Sequence, residues 1–257
     1  GQNSDWLSQP ARTSFSHDHS LRVYGGASNL RYELSGRYGD TKGVMKGDYR
    51  KRYSIGFKLD YHIKNTIQIS NRTTYSEIDT KDTPYGGFLQ YTQMNPYDRM
   101  YNDDGTVNTD LSWDMNNPLY EAKLGSFSKD GTNSFVNNTD FRWDINKMFR
   151  LTGHFNITST SGWAEAFTSP KSQYYKNQPD LSKRGQLIQT NSRNTSWNAN
   201  AVGTFNKMFK DNSLISASLG WEATHNKDRS ATTEAIGFFN DPLSFIGNAA
   251  GYPADAQ

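Results

Sequence analysis

The sequence predicts an all-β fold, a segment of an antiparallel transmembrane β-barrel holding about eight strands. Three observations carry this prediction. Apolar residues recur at every second position over much of the chain, the period of a strand with one apolar face. The connections between these stretches alternate between tight and long. Tyrosines stand at both edges of the clearest apolar stripe.

Residues 15–23 form the first alternating stretch, with His17 and His19 interrupting its apolar face, and residues 30–38 form the second. The third is the cleanest. Tyr53, Ile55, Phe57, Leu59, Tyr61 and Ile63 share one face, and Arg52, Ser54, Gly56, Lys58, Asp60 and His62 share the other. Weaker stretches cover residues 67–75 and 135–145. In the sixth, Phe149, Leu151, Gly153, Phe155 and Ile157 alternate with Arg150, Thr152, His154, Asn156 and Thr158. Residues 197–205 form a weak seventh. The eighth sets Ile215, Ala217, Leu219 and Trp221 against Ser216, Ser218, Gly220 and Glu222.

Residues 26–29, 64–66, 146–148 and 208–212 are short and rich in Asn, Lys, Gly and Asp, as tight turns are. Residues 39–50, 77–133, 161–190 and everything after 225 are expected to be long connections. Short periplasmic turns and long extracellular loops follow this rhythm in outer-membrane barrels. A soluble sandwich gives no reason for every second connection to be long. A loop of about 55 residues is also atypical of a compact domain.

Tyr53 and Tyr61 bracket Ile55, Phe57 and Leu59. Eight residues at about 3.3 Å each, tilted by about 40°, rise roughly 20 Å, near the height of an apolar barrel band. Tyrosine rings at its edges would sit at headgroup level. The opposite face carries Arg, Lys, Asp, Glu, Asn and Thr, which suit a wet or plugged lumen. In a packed core they would be costly without partners.

Composition agrees. Hydrophobic residues make up 34% and mean hydropathy is −0.86, yet aromatics reach 14%. Disordered chains lack aromatics and carry strong net charge, whereas this chain has a formal charge of +2. That balance removes the electrostatic case for nucleic acid as a partner. No stretch approaches the roughly 20 apolar residues of a membrane-spanning helix, a test that barrel strands do not face. Cysteine is absent. Residues 1–10 have neither the basic nor the apolar region of a signal peptide.

The loops carry motifs. Ser16-His17-Asp18-His19-Ser20-Leu21-Arg22-Val23-Tyr24-Gly25-Gly26, with Asn29-Leu30-Arg31-Tyr32, resembles an early barrel hairpin of the SusC/RagA-type TonB-dependent transporters. Gly43-Val44-Met45-Lys46-Gly47-Asp48, running into Arg50-Lys51-Arg52-Tyr53, resembles the next loop of that family. Asn95-Pro96-Tyr97-Asp98, Asp104-Gly105 and Asn117-Pro118-Leu119-Tyr120-Glu121-Ala122 are similar to its long extracellular loop, in the same order. Asp180-Leu181-Ser182-Lys183-Arg184-Gly185 is similar to its third long loop. The resemblance spans nearly the whole chain.

It implies a barrel of about 22 strands in the outer membrane of Bacteroidota-type bacteria, closed by a plug domain and embedded in outer-membrane lipids. It also implies import of oligosaccharides or peptides with a SusD-like surface lipoprotein as lid, driven by TonB pulling on the plug. Residues 1–257 are then expected to be part of one such barrel domain. On this reading the plug, its TonB-contacting segment and the remaining strands are expected to lie outside these residues, since the C-terminal Tyr252-Pro253-Ala254-Asp255-Ala256-Gln257 is unlike a closing barrel strand.

Candidate substrate-binding residues lie in the 77–133 loop: Tyr85, Tyr91, Tyr97, Trp113 and Tyr120. Phe88, Tyr101, Asp98, Asp103, Asp104, Asp110 and Asp114 stand among them. Aromatic faces and carboxylates stack on and hydrogen-bond sugar rings or peptides. The same residues would equally fold the loop on itself or pack it against a lid. Asn102-Asp103-Asp104-Gly105 fits an Asp-Gly turn better than a calcium loop, because the alternating ligands and closing Glu are missing. His17 and His19 share one side of a strand but lack a third metal ligand. Asn71-Arg72-Thr73, Asn137-Asn138-Thr139 and Asn156-Ile157-Thr158 match glycosylation sequons on predicted strands, where the match is chance. No catalytic or cofactor-binding constellation appears, so an enzyme is not expected. The competing readings are a soluble all-β glycan-binding module and a passive porin-like channel without a plug.

Overall fold

The computed structural model describes residues 3–83, 87–210, 212–241 and 244–253. Eight strands form one sheet in strict chain order, every neighbouring pair antiparallel. They are β1 (His17–Ala27), β2 (Leu30–Thr41), β3 (Tyr49–Ile63) and β4 (Ile67–Lys81), then β5 (Phe127–Asp144), β6 (Phe149–Thr168), β7 (Gln186–Met208) and β8 (Leu214–Ile236). Two one-turn helices, α1 (Leu89–Thr92) and α2 (Pro118–Glu121), lie in the long loop after β4. Among the described residues no helix is long and apolar enough to cross a membrane.

Each pairing keeps one register along its whole length, with no bulge: Tyr49 faces Lys81 at one end of β3–β4, and Ile63 faces Ile67 at the other. Because side chains alternate, an unbroken register keeps each residue's face fixed across the sheet. The face of Tyr53, Ile55, Phe57 and Leu59 therefore continues through Leu34 and Leu21, and through Phe135, Phe155, Trp197 and Leu219. Of these apolar side chains Leu59 and Trp197 are half-buried and the others exposed, while the buried hydrophobic residues lie in the N-terminal segment, the loops and the loop-side strand ends. A belt of this extent on a sheet without a core beneath it needs an apolar medium. This face meets lipid.

Aromatic rows edge the belt. Rings of Phe15, His17, His19, Tyr38 and Tyr53 follow one another at 5.0 to 5.9 Å along the long-loop edge. At the short-turn edge Phe149 meets Phe205 at 5.0 Å. His17 and His19 thus belong to the aromatic edge that they interrupt in sequence.

The inward face is polar and cross-paired. Arg37 meets Asp18 at 2.9 Å, His154 meets Asp140 at 2.7 Å, and Arg142 and Arg150 both hold Asp144. These groups are partly exposed, so each pair contributes little to stability. Their effect is to satisfy charge along a wet wall.

The strands outrun the sequence pattern. β5 to β8 have 18 to 23 residues, where about 9 to 11 span a bilayer. The loops are correspondingly shorter than predicted: 42–48, 82–126 and 169–185, with β8 continuing to Ile236. Beyond the membrane both faces of a hairpin meet water, so apolar alternation stops while the hydrogen-bonded ladder continues. The tight turns match the prediction. At residues 64–66, Lys64 and Asn65 take φ of 48° and 54°.

One polar patch interrupts the lipid-facing belt. Asn71 and Thr73 on β4 oppose Thr139 and Asn137 on β5, so two of the three sequons lie side by side. Asn71 Nδ2 donates to Thr139 Oγ1 at 2.8 Å, which donates to Asn137 Oδ1 at 3.0 Å. Asn137 Nδ2 donates to Thr73 Oγ1 at 2.7 Å, which donates to Asn71 Oδ1 at 2.9 Å. The ring is closed. Phe57 and Leu59 flank it on one side, Phe155 and Ile157 on the other. Each of the four side chains donates one hydrogen bond and accepts one within the ring without water, which lowers the cost of placing amides against lipid.

This arrangement makes a prediction for unfolding of the full-length protein in lipid vesicles. Thr139→Val strands one amide donor and one carbonyl acceptor and should cost about 1–3 kcal/mol. Replacing all four by Leu and Val should lie within about 1 kcal/mol of the parent. A harmless single substitution, or a quadruple variant worse than the single, would contradict the closed ring.

Candidate functional site

Above the membrane band the connections fold into a cap with two small cores. Trp6, Met94 and Leu111 bury one, with Met100, Met115 and Leu119 against it. Phe167, Leu187, Ala235 and Phe238 form the other, at the ends of β6, β7 and β8. The N-terminal segment is tied down by Trp6 Nε1 donating to the Asn95 carbonyl at 3.0 Å and by Ser4 donating to Pro96 and Asp98. Arg12 reaches Asp48 at 3.1 Å and fastens the 42–48 loop to the same segment. Gly237, at φ 82°, turns the chain where a Cβ would lie 2.2 Å from the Ser182 carbonyl oxygen.

The 82–126 and 169–185 loops are joined by a buried polar knot. Asn117 caps α2, its Oδ1 accepting from Leu119 N at 2.9 Å, while its Nδ2 donates to the Asn108 carbonyl at 2.7 Å. Its backbone N–H donates to Gln173 Oε1 at 2.8 Å. Gln173 Nε2 donates to Thr109 O at 2.9 Å, and its backbone N–H donates to Glu121 Oε1 at 2.7 Å. Asn117 and Glu121 are almost wholly buried. Burial pushes the Glu121 carboxyl above its ordinary range, against the opposing pull of hydrogen bonds from Ser172 and the Gln173 backbone. The neighbouring Tyr175 hydroxyl is pushed up to about 12, chiefly by burial.

The knot supports a group of exposed aromatics. Trp113 is 75% exposed and stands on a left-handed backbone, φ 60° and ψ 24°, followed by Asp114 at φ 56°. Such a conformation costs on the order of 1–3 kcal/mol per non-glycine residue and persists only when held. It is held on both sides. Asp98 accepts from Ser112 N at 2.9 Å and from Ser112 Oγ at 2.7 Å. Lys176 Nζ donates to Asp114 O at 2.7 Å and to its Oδ1 at 2.6 Å. The first clamp fixes the neighbour of Tyr97, 76% exposed, and the second lies two residues from Tyr174, 75% exposed. The clamps thus bring segments carrying Tyr97, Trp113 and Tyr174 together. Tyr174 also lines a recess of about 410 Å³ with Asn116, Glu121, Ser126, Ser172 and Gln186. That volume suits a small ligand or a segment of a larger one.

The other sequence candidates divide. Tyr91, 5% exposed, forms part of the wall of a second recess of about 380 Å³ with Tyr101, Leu119 and Lys123. Tyr120 Oη donates to the Lys171 carbonyl at 3.3 Å, linking the two loops. Tyr85 lies outside the described residues. Asn102-Asp103-Asp104-Gly105 is a turn, with Gly105 at φ 82° and Asp104 accepting from Thr106. Among the described residues no three His, Cys, Asp or Glu side chains converge on a metal-sized site. Sequence reasoning missed Tyr174 and Lys176. Both were visible in the third long loop, but nothing local tied them to residue 113.

No model of a known protein family matches the chain. It is 26% identical over 179 residues to the TonB-dependent receptor SusC of Bacteroides thetaiotaomicron, an alignment covering 60% of this chain and 18% of that protein. Its fold superposes on the RagAB peptide importer in the closed-closed state with a TM-score of 0.74, at 16% identity, covering 96% of this chain and 28% of that one. The open-open state gives 0.71 at 15% identity, over 97% of this chain and 28% of that one. The chain therefore spans less than a third of these relatives' length.

Glu121 sets a pH dependence. Its folded pKa lies above the ordinary 4.5, so the folded cap binds this proton more tightly than the open loop. The associated stability is complete below about pH 4.5 and is lost as pH rises through the folded pKa. In hydrogen exchange of the full-length protein, corrected for intrinsic rates, protection of residues 117–121 and 172–176 should fall as pH rises from 4.5. Glu121→Gln should flatten that fall. Protection that rises with pH relative to the Gln variant would contradict the assignment.

Proposed function

We propose that this chain, a section of a SusC/RagA-type outer-membrane β-barrel, supplies lumen wall and extracellular substrate-contact surface to a TonB-dependent nutrient importer. Its substrates on this reading are oligosaccharides or peptides. The observation that carries the reading is the clamped, exposed aromatic group of Tyr97, Trp113 and Tyr174. The strained turn that carries the exposed indole is locked on both sides by Asp98 and Lys176, so its backbone loses little further freedom when a ligand stacks there. Preorganisation of this kind raises affinity without adding contacts. Tyr85 and the half-buried Tyr120 are further candidate contacts in the same loop, whereas the buried Tyr91 serves as wall rather than contact.

The rest of the machinery follows from the likeness to SusC and RagAB. A SusD-like lipoprotein would close over the cap, and a plug outside this segment would engage TonB. A soluble glycan-binding module would leave the apolar belt of Ile55, Phe57, Phe155 and Leu219 in water, which the size of that surface opposes.

The test is uptake of labelled oligosaccharides and labelled peptides by cells making the full-length transporter, with the proton gradient intact and collapsed. Uptake of one class should require the gradient. In the purified transporter Trp113→Ala with Tyr174→Ala should weaken binding of that class by about tenfold or more, equivalent to about 1.4 kcal/mol. Gradient-independent uptake, or unchanged affinity in the folded double variant, would sink the reading.

A further inference from the structure

On the lipid-facing side of β7 and β8, above the belt, lies a basic recess that the transport reading does not use. Arg193, Thr195 and Trp197 of β7 and His225, Lys227 and Arg229 of β8 line about 290 Å³. Period-two alternation puts all six on the face of Ala199, Ala201, Leu219 and Trp221. Register makes the cluster unusual. Arg193 stands directly opposite Arg229, and Thr195 directly opposite Lys227. Like charges facing each other across a ladder destabilise the pairing unless a counter-charge lies between them. The described residues supply none: neither arginine nor Lys227 has a carboxylate partner. Asp228 and Glu222 point to the lumen side, where Asn194 and Asn198 hold them. Glu165, on the outward face of β6, is engaged by Gln189 at 2.7 Å.

Height identifies the medium. Trp197 stacks on His225, centroids 6.1 Å apart, at the long-loop edge of the belt. With about 3.3 Å per residue and a tilt of about 40°, Lys227 lies roughly 5 Å above that pair and the two arginines roughly 10 Å above it. The polar headgroup zone extends about 5 to 8 Å beyond the hydrocarbon on each side. Lys227 therefore stands within the headgroup zone, above a tryptophan at the interface, and the two arginines stand at its outer margin, from which long side chains reach back to headgroups.

We propose that Arg193, Lys227 and Arg229 form a site for the phosphate of an outer-leaflet lipid headgroup, with Thr195 available as a hydroxyl donor. A phosphate between the two guanidinium forks relieves their repulsion and accepts charge-assisted hydrogen bonds from both. The acyl chains run down the belt beside Trp197, Ala199 and Trp221. The inference rests on this face meeting lipid and is independent of which nutrient the barrel carries.

The test uses native mass spectrometry of the full-length transporter in mild detergent, offered equal amounts of phosphorylated lipid A and its dephosphorylated form. The transporter should retain the phosphorylated lipid about tenfold in preference, and added salt should weaken that preference. Arg193→Gln, Lys227→Gln and Arg229→Gln together should abolish it, and Arg193→Lys with Arg229→Lys should keep part of it. Equal retention of the two lipids by the unmodified protein would overturn the proposal, whether or not the triple variant folds. So would a folded triple variant that keeps the preference. Displacement of the lipid by millimolar inorganic phosphate would reassign the cluster to a free anion and overturn the lipid site.

Discussion

In hydrocarbon no water is available to backbone amides, so every N–H and C=O in the membrane-spanning part must find a partner in the chain. The uninterrupted ladder from β1 to β8 answers that constraint, and the rest of the structure depends on it. A ladder without bulges keeps each residue on one face for the length of the sheet. One face can then be wholly apolar while the other carries Arg150, Asp144, His154 and Asp140 in mutual pairs. The Asn71–Thr73–Asn137–Thr139 ring applies the same rule to side chains. Polar groups are tolerated against lipid where they close on one another.

Above the band the constraint lifts and a different economy takes over. Water satisfies backbone ends there, so the outer parts of β6 and β7, strands of 20 and 23 residues, stand clear of the membrane with polar residues on both faces. Their stability comes from the ladder and from the small cores at their tips, around Phe167, Leu187 and Phe238. The cap is held by direct, buried hydrogen bonds centred on Asn117, Gln173 and Glu121, which are expensive to break singly. That rigidity lets an exposed tryptophan sit on a left-handed turn. Stored strain and exposed aromatics coincide at residue 113, as they do at many ligand-contact sites.

Much of the barrel wall was legible in the sequence, because lipid on one side and a wet lumen on the other imprint period two on the chain. Tyr53 to Ile63 shows this most clearly. The strand ends were not legible. Between 186 and 195 no apolar periodicity exists for sequence to display, though the ladder is intact. The ring was hidden for a related reason: Asn71 and Asn137 look like breaks in an apolar face until pairing brings them together. At the cap, the aromatic content of the 77–133 loop pointed to contact residues. Trp113 is presented on a turn held by Lys176, more than fifty residues away, and Tyr91 is buried in a wall shared with Pro10 and Met45, from segments also distant in sequence.

The most direct test of the account is a scan of lipid and water exposure along β3. Single cysteines placed at each of residues 53 to 63 in the full-length protein, which brings none from this section, would carry a fluorophore in bilayers. Quenching by a lipid-borne quencher should alternate, strong at 55, 57 and 59 and weak at 54, 56 and 58. A water-soluble quencher should show the opposite phase. Equal access of the aqueous quencher to both sets would contradict a lipid-facing belt and return the sheet to a soluble architecture.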